Sequence, residues 1–220
     1  MPAATYSLIK AAFAIPRFAA TRERILNKRI ATRPSPFILA VSHLSHLEPA
    51  FVSAHVRAQV HWMARIEHYN SPLSSLFLRA CDAFSVDRFG NPAPAVRHAI
   101  RLLRQSKVVG IFPEGGNATG QSSVLRNAPI KGGVATIAIA TAAPVIPVVV
   151  LGTHKLNQPH PWLPTRSGRV WIAFGNQVAL PLSGSRRARR QQMLPQIQSE
   201  FVRTYQSLLA QAQLQDSDFP

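Results

Sequence analysis

The chain has 220 residues, 46% of them apolar, with glycine and proline spread between apolar runs, which fits one compact domain and excludes disordered and fibrous classes. Its 25 lysines and arginines against nine acids leave a net charge of +16, so the protein should meet something negative: nucleic acid, an anionic membrane or an acidic protein. A single cysteine, Cys81, excludes a disulfide framework and a cysteine-based zinc site, and points to a reduced, cytosolic compartment.

Residues 1–33 are expected to form an amphipathic helical segment. Tyr6, Ile9 and Phe13 share one helical stripe, and Pro16 should end or kink the helix. No cleavable signal peptide is visible, and the apolar runs, broken by Lys10 and by Pro16-Arg17, fall short of the roughly 20 apolar residues a bilayer span needs. Two readings stay open for this helix. It covers the core of the domain, or it lies among lipid headgroups with Arg22, Arg24, Lys28 and Arg29 on anionic lipid, at about 1 kcal/mol per basic residue.

From residue 34 to 180, apolar runs alternate with helical patterns. Strands are expected at 37–42 (FILAVS), 59–64, 83–87, 107–112, 145–151 and 169–174. Helices are expected at 49–57, 72–81, 93–105 and 132–142. In the third of these, Val96, Ile100 and Leu103 share one face, opposite Arg97, Arg101 and Arg104. Residues 152–168 are too rich in proline for regular structure. Residues 181–220 should hold a basic amphipathic helix and tail, the helix over 185–213 with Pro195 as a kink and Arg186, Arg187, Arg189 and Arg190 near its start. The alternation indicates an α/β fold: a single layered domain, its central and largely parallel sheet flanked by helices.

In open sheets of this kind, ligands bind beyond the carboxyl ends of the strands. Titratable groups gather there four times: His43 and Glu48 in "SHLSHLEP", Asp87-Arg88, Glu114 in "IFPEGG", and Lys131 in "KGGVATIA". A neutral imidazole can take a proton from a hydroxyl while a carboxylate on its other nitrogen fixes the tautomer. His43 and Glu48 would point about 140° apart on one straight helix. They can meet only if His43 lies in the turn before the helix and Glu48 in its first turns, which a helix starting near Ser45 fits. His46, two residues from Glu48, is the weaker candidate. Ser45 and Glu48 also match a capping box, and His-x-x-His-x-Glu could bind a metal, though with no further ligand set and poor spacing. Arg88 offers a guanidinium to a phosphate, Glu114 a carboxylate in a glycine-flanked turn, and Lys131 a cation at a helix start. No zinc finger, RNP-like strand or helix-turn-helix accompanies the charge, so a membrane ranks ahead of nucleic acid.

These blocks, in this order, resemble the glycerolipid acyltransferases, the 1-acylglycerol-3-phosphate acyltransferase superfamily. The hallmark is a His followed five residues on by an acid, here His43 and Glu48, then "VDR" at 86–88, "FPEG" at 112–115, "KGGVATIA" at 131–138 and "VIPV" at 145–148. The resemblance implies that His43 is the general base and Glu48, in place of the usual Asp, its orienting acid. It implies that Arg88, Glu114, Gly115 and Lys131 hold the glycerol and phosphate of a lysophospholipid acceptor. The donor would be acyl-CoA or an acyl group on acyl carrier protein, a co-substrate rather than a cofactor, with no metal and no covalent enzyme intermediate. Partners would be an anionic membrane surface, the lysophospholipid and acyl carrier protein, with no nucleic acid, and the protein would sit peripherally on the cytoplasmic face. The chain departs from the family pattern at Ser42, where Asn is usual, and at Gly116-Asn117-Ala118, where Thr-Arg-Ser is usual. Acyl transfer to a non-phosphate lipid, or lipid binding without catalysis, are the alternatives these departures leave open.

Overall fold

The structure is a computed structural model that describes residues 3–87, 89–157 and 168–216. A helix, α1 (Ala3–Ala20), leads into seven strands: β1 (Thr21–Leu26), β2 (Phe37–Val41), β3 (Val60–Arg65), β4 (Phe84–Val86), β5 (Val108–Ile111), β6 (Val145–Leu151) and β7 (Gly168–Phe174). Between and after them come α2 (Glu48–His55), α3 (Pro72–Ala80), α4 (Ala93–Arg104), α5 (Gly133–Thr141) and α6 (Arg186–Ala212). The strands form one sheet in the order β1-β7-β6-β2-β5-β3-β4, parallel at every pairing except β6 with β7.

Strand β2 shows why the sheet is covered on both faces. All five residues of FILAV are buried, and alternation along a strand sends them to opposite sides. Ile38 and Ala40 join the cluster of Leu103, Val134, Ile137 and Phe201 beneath α4, α5 and α6. Phe37, Leu39 and Val41 join Phe51, Val52, Trp62 and Ile146 on the side of α2. Each of the larger aliphatic and phenyl side chains among them contributes roughly 1.5–3 kcal/mol by leaving water. The central strands are therefore fixed in register, and with them the positions of their carboxyl ends.

Three expectations need correction. Residues 21–26 (TRERIL) are not part of a helical segment but the edge strand β1, paired in parallel with β7. Its burial alternates, with Thr21 buried, Arg22 and Arg24 exposed and Glu23 between them partly covered, so charge protects an edge that would otherwise invite pairing. Of the two outcomes expected at Pro16, ending the helix is excluded, because α1 runs on to Ala20. Pro16 is exposed, so the carbonyl its ring leaves unbonded can turn to solvent. Finally, α2 starts at Glu48, one residue before the expected 49–57 helix and not near Ser45.

Helix α1 covers the core, as one of the two readings held. Tyr6 is buried and its hydroxyl accepts the Val60 amide (3.2 Å), and Phe13 meets Phe51 edge-on, ring centres 5.8 Å apart. The end of the helix is pinned by a buried cluster. Arg17 donates to Glu23 (2.6 Å), and His55 Nε2 lies 2.5 Å from the same carboxylate. Burial alone would push the Glu23 carboxyl up, but the hydrogen bond from His55 and the Arg17 charge outweigh it and hold it below its ordinary range.

Candidate active site

The chain after β2 is tied down before it reaches the first histidine. The Ser42 amide donates to Val148 O, and the Ser42 hydroxyl accepts the Val150 amide, each at 3.0 Å. These bonds extend the ladder to β6 by one residue. His43 follows with both of its backbone groups engaged: its amide donates to Glu114 Oε2 (2.7 Å) and its carbonyl accepts the Ala118 amide (2.9 Å). The imidazole is thus carried on a backbone held from two sides.

The His43 side chain turns toward α2. Its Nδ1 lies 3.0 Å from Glu48 Oε2, and the other carboxylate oxygen of Glu48 accepts the Thr153 hydroxyl at 2.5 Å. Glu48 and Thr153 are wholly buried. A carboxylate out of water must have its lone pairs met, and here His43 and Thr153 meet them. Glu48 therefore does not cap α2: Ser45 Oγ accepts from the Leu47 amide (3.3 Å) instead, and no side chain caps the helix. Because the helix begins at Glu48, the longer acid has room to reach back to His43 across the preceding turn.

An aromatic stack sets the plane of the ring. Phe112 lies against His43 with centroids 3.9 Å apart and planes 21° from parallel, and Trp62 stacks on Phe112 at 5.3 Å. Trp62 in turn lies flat on Gly110, where a Cβ would stand 2.4 Å from the indole, and its Nε1 donates to Ser53 (2.9 Å). The glycine in "VVGIF" is thus needed for close approach, not for a turn. His46 stands 6.1 Å from His43 and 5.4 Å from His68, ring centre to ring centre, and takes no part in the Glu48 contact. With Nδ1 facing the carboxylate, His43 has Nε2 left for a substrate proton.

Glu114 arrives from the end of β5. Its oxygens face into the protein: Oε2 accepts the His43 amide, and Oε1 accepts the Val124 amide (2.9 Å) and the Ser123 hydroxyl (3.1 Å). Burial pushes its carboxyl up to about 7, although the donors of Val124, His43 and Ser123 pull the other way. Such a carboxylate straps the His43 turn to the 3-10 turn at Val124–Arg126. Gly115 takes a left-handed backbone (φ +79°), and a Cβ there would come within 2.7 Å of the Lys131 side chain. The Lys131 amide donates to Pro113 O (2.8 Å). His43, Glu48, Glu114, Gly115 and Lys131 therefore share one end of the sheet. Arg88 lies outside the described residues. Among the described residues, no three His, Cys, Asp or Glu side chains gather as a metal site.

Three residues of this arrangement escaped the sequence reading. Thr153 was legible only as a polar residue just beyond the β6 apolar run, Phe112 only as the aromatic inside "IFPEGG", and Ser123 carried no signal. What each does depends on contacts across the sheet that spacing does not report.

A family model described as Acyltransferase matches residues 23–151. The chain is 30% identical over 131 residues to a 1-acyl-sn-glycerol-3-phosphate acyltransferase of Bacillus subtilis, covering 59% of this chain and 62% of that protein. It is 26% identical over 152 residues to one of the same name from Streptococcus pneumoniae, covering 68% of this chain and 53% of the relative. It thus spans between about half and three fifths of the length of these relatives. The fold is similar to the crystal structure of the 1-acyl-sn-glycerophosphate acyltransferase PlsC from Thermotoga maritima, with a TM-score of 0.68 and 21% identity over 94% of this chain and 78% of that one.

Proposed function

This chain belongs to the acyltransferase family, and from that premise we propose that it is a 1-acylglycerol-3-phosphate O-acyltransferase, moving a fatty acyl group from a thioester to the free hydroxyl of a lysophosphatidate during phospholipid synthesis. The observation that carries this reading is the contact from Glu48 through His43 Nδ1, which leaves Nε2 to act on a hydroxyl. His43 Nε2 takes the proton of the acceptor hydroxyl as its oxygen attacks the thioester carbonyl carbon. The imidazolium so formed is stabilised by Glu48, whose charge Thr153 helps to fix. When the carbon–sulfur bond breaks, the departing thiolate receives that proton from Nε2, and the enzyme returns to its starting state. Such acid–base assistance is worth about 10²–10⁴ in rate. Phe112 and the Glu114 strap act as positioning elements, holding the ring and its backbone.

The donor is acyl-CoA or acyl carrier protein, both of which carry negative charge that a chain of net charge +16 attracts. The acceptor is membrane-borne, and α1 supports a peripheral seat on the membrane. Among the described residues no helix is long and apolar enough to cross a bilayer, yet Leu8, Ile15 and Phe18 on α1 are 59–76% exposed. The charges of the same helix turn inward, Lys10 to the Val56 carbonyl and Arg17 to Glu23. A helix that hides its cations and shows its apolar side chains suits a lipid interface, with the exposed Arg22, Arg24, Lys28 and Arg29 beside it for anionic headgroups.

The test is direct. The full chain, incubated with lysophosphatidate in anionic vesicles and radiolabelled acyl-CoA or acyl carrier protein, should form phosphatidate. Turnover with neither donor, while lysophosphatidate still binds, would leave a lipid-binding protein instead of an enzyme.

A further inference from the structure

The arginines at the start of α6 do not all face away from the domain. Arg189 donates its Nε to the Pro181 carbonyl at 2.8 Å. Arg190, next in the chain, lays its guanidinium across Gly132: a Cβ built on that glycine would stand 3.1 Å from Cζ and Nε and 3.3 Å from Nη2. The stem of Lys131, the residue before that glycine, lies across Gly115, where a Cβ would stand 2.7 Å from Cε and 3.3 Å from Cδ. Each glycine therefore leaves space that a basic side chain fills, the guanidinium of Arg190 at Gly132 and the aliphatic stem of Lys131 at Gly115. Lys131 and Gly132 are chain neighbours, so the guanidinium lies on the residue next to Lys131, while the Lys131 stem lies on the residue next to Glu114.

Among the described residues neither Lys131 nor Arg190 is ion-paired. Gly116, Asn117 and Ala118, next along from Gly115, bring no charge of their own. An ammonium and a guanidinium anchored at adjacent positions, with no counter-charge, offer donors from two sides to a doubly charged anion. The planar guanidinium suits two oxygens of one phosphate, and the ammonium a third.

We propose that Arg190 is a specificity-determining residue that, with Lys131, binds the phosphate monoester of the acceptor, so that the C-terminal helix completes the acceptor site. The inference rests on the lysophosphatidate reading above. The phosphate belongs to the acceptor headgroup, and the phosphates of a coenzyme A donor are the competing source.

The experiment compares wild type with Arg190→Ala, Arg190→Lys and Gly132→Ala in the full chain. Arg190 is exposed, so the fold should survive its loss. Arg190→Ala should raise KM for lysophosphatidate roughly 10- to 100-fold, the worth of one charge-assisted partner, with kcat changed less than about threefold and KM for acyl-CoA unmoved. Arg190→Lys should recover only part of the affinity. Gly132→Ala should raise KM a few-fold in wild type by shifting the guanidinium, and have no effect in the Arg190→Ala background. An unchanged lysophosphatidate KM in Arg190→Ala overturns the proposal, and so does a rise confined to acyl-CoA. If wild type turns over no lysophosphatidate, the functional reading fails by itself. Titration of sn-glycerol 3-phosphate followed by phosphorus NMR then decides the anion site, binding lost in Arg190→Ala sustaining it and binding retained overturning it.

Discussion

Replacing Glu48 by aspartate, the acid its family more often uses at this place, should impair this protein. The Glu48 carboxylate bridges two fixed partners, His43 Nδ1 at 3.0 Å and Thr153 Oγ1 at 2.5 Å, from a backbone that is the first residue of α2. Shortening the side chain by one methylene withdraws the carboxylate by about 1.5 Å, the length of one carbon–carbon bond. With an effective dielectric of about 20, the attraction between the carboxylate and an imidazolium is about 5.5 kcal/mol at the present separation and about 3.7 kcal/mol after withdrawal. The difference of about 2 kcal/mol is roughly 20-fold in rate, and loss of the hydrogen bond itself, about 1 kcal/mol, brings the total to about 100-fold. The measurement is kcat/KM of Glu48→Asp with lysophosphatidate and acyl-CoA, beside circular dichroism to show an intact fold. An aspartate variant as active as wild type would refute the reasoning, because it would mean that the bridge between His43 and Thr153 contributes nothing.

Thr153→Val keeps the shape and removes the donor to a wholly buried carboxylate oxygen; we expect a loss of about 1–3 kcal/mol in stability, read as a lower Tm, together with reduced kcat, and an unchanged Tm would contradict it. Glu114 binds its proton more tightly when folded, with its carboxyl raised from an ordinary 4.5 to about 7. The stability this lends is full below about pH 4.5 and is lost as pH rises through about 7. Wild type should therefore lose stability relative to Glu114→Gln between pH 5 and pH 8 in urea titrations, and parallel curves would remove Glu114 as the cause. Ile15→Glu places a charge on the exposed apolar face of α1 and should abolish co-sedimentation with phosphatidylglycerol vesicles at unchanged Tm; retained binding would move the membrane seat elsewhere.

Strands β2, β5 and β6 were legible in the sequence because each is a continuous apolar run closed by a polar turn, and burial on both faces demands that pattern. Their carboxyl ends located His43, Glu48, Glu114, Gly115 and Lys131 together for the same reason. β1 was not legible, since an edge strand needs one apolar face at most and TRERIL spends its other face on arginine. The expected helix over 49–57 placed the start of α2 within one residue, whereas a start near Ser45, which S-x-x-E satisfies locally, fails because Glu48 is claimed by His43 and Thr153. In the sequence Glu114 reads as a ligand contact because it precedes two glycines, and what spacing does not report is that its oxygens meet the amides of His43 and Val124. The place of Arg190 beside Gly132 could not be read at all, because only the packing of α6 on the domain brings it there.

Turnover of His43→Ala is the measurement closest to the chemistry. With lysophosphatidate and acyl thioester at saturation, kcat should fall by about 10²–10⁴ relative to wild type, at an unchanged Tm. A variant that keeps wild-type kcat would mean that the proton of the acceptor hydroxyl leaves by another route, and that the imidazole held by Glu48 is not the base.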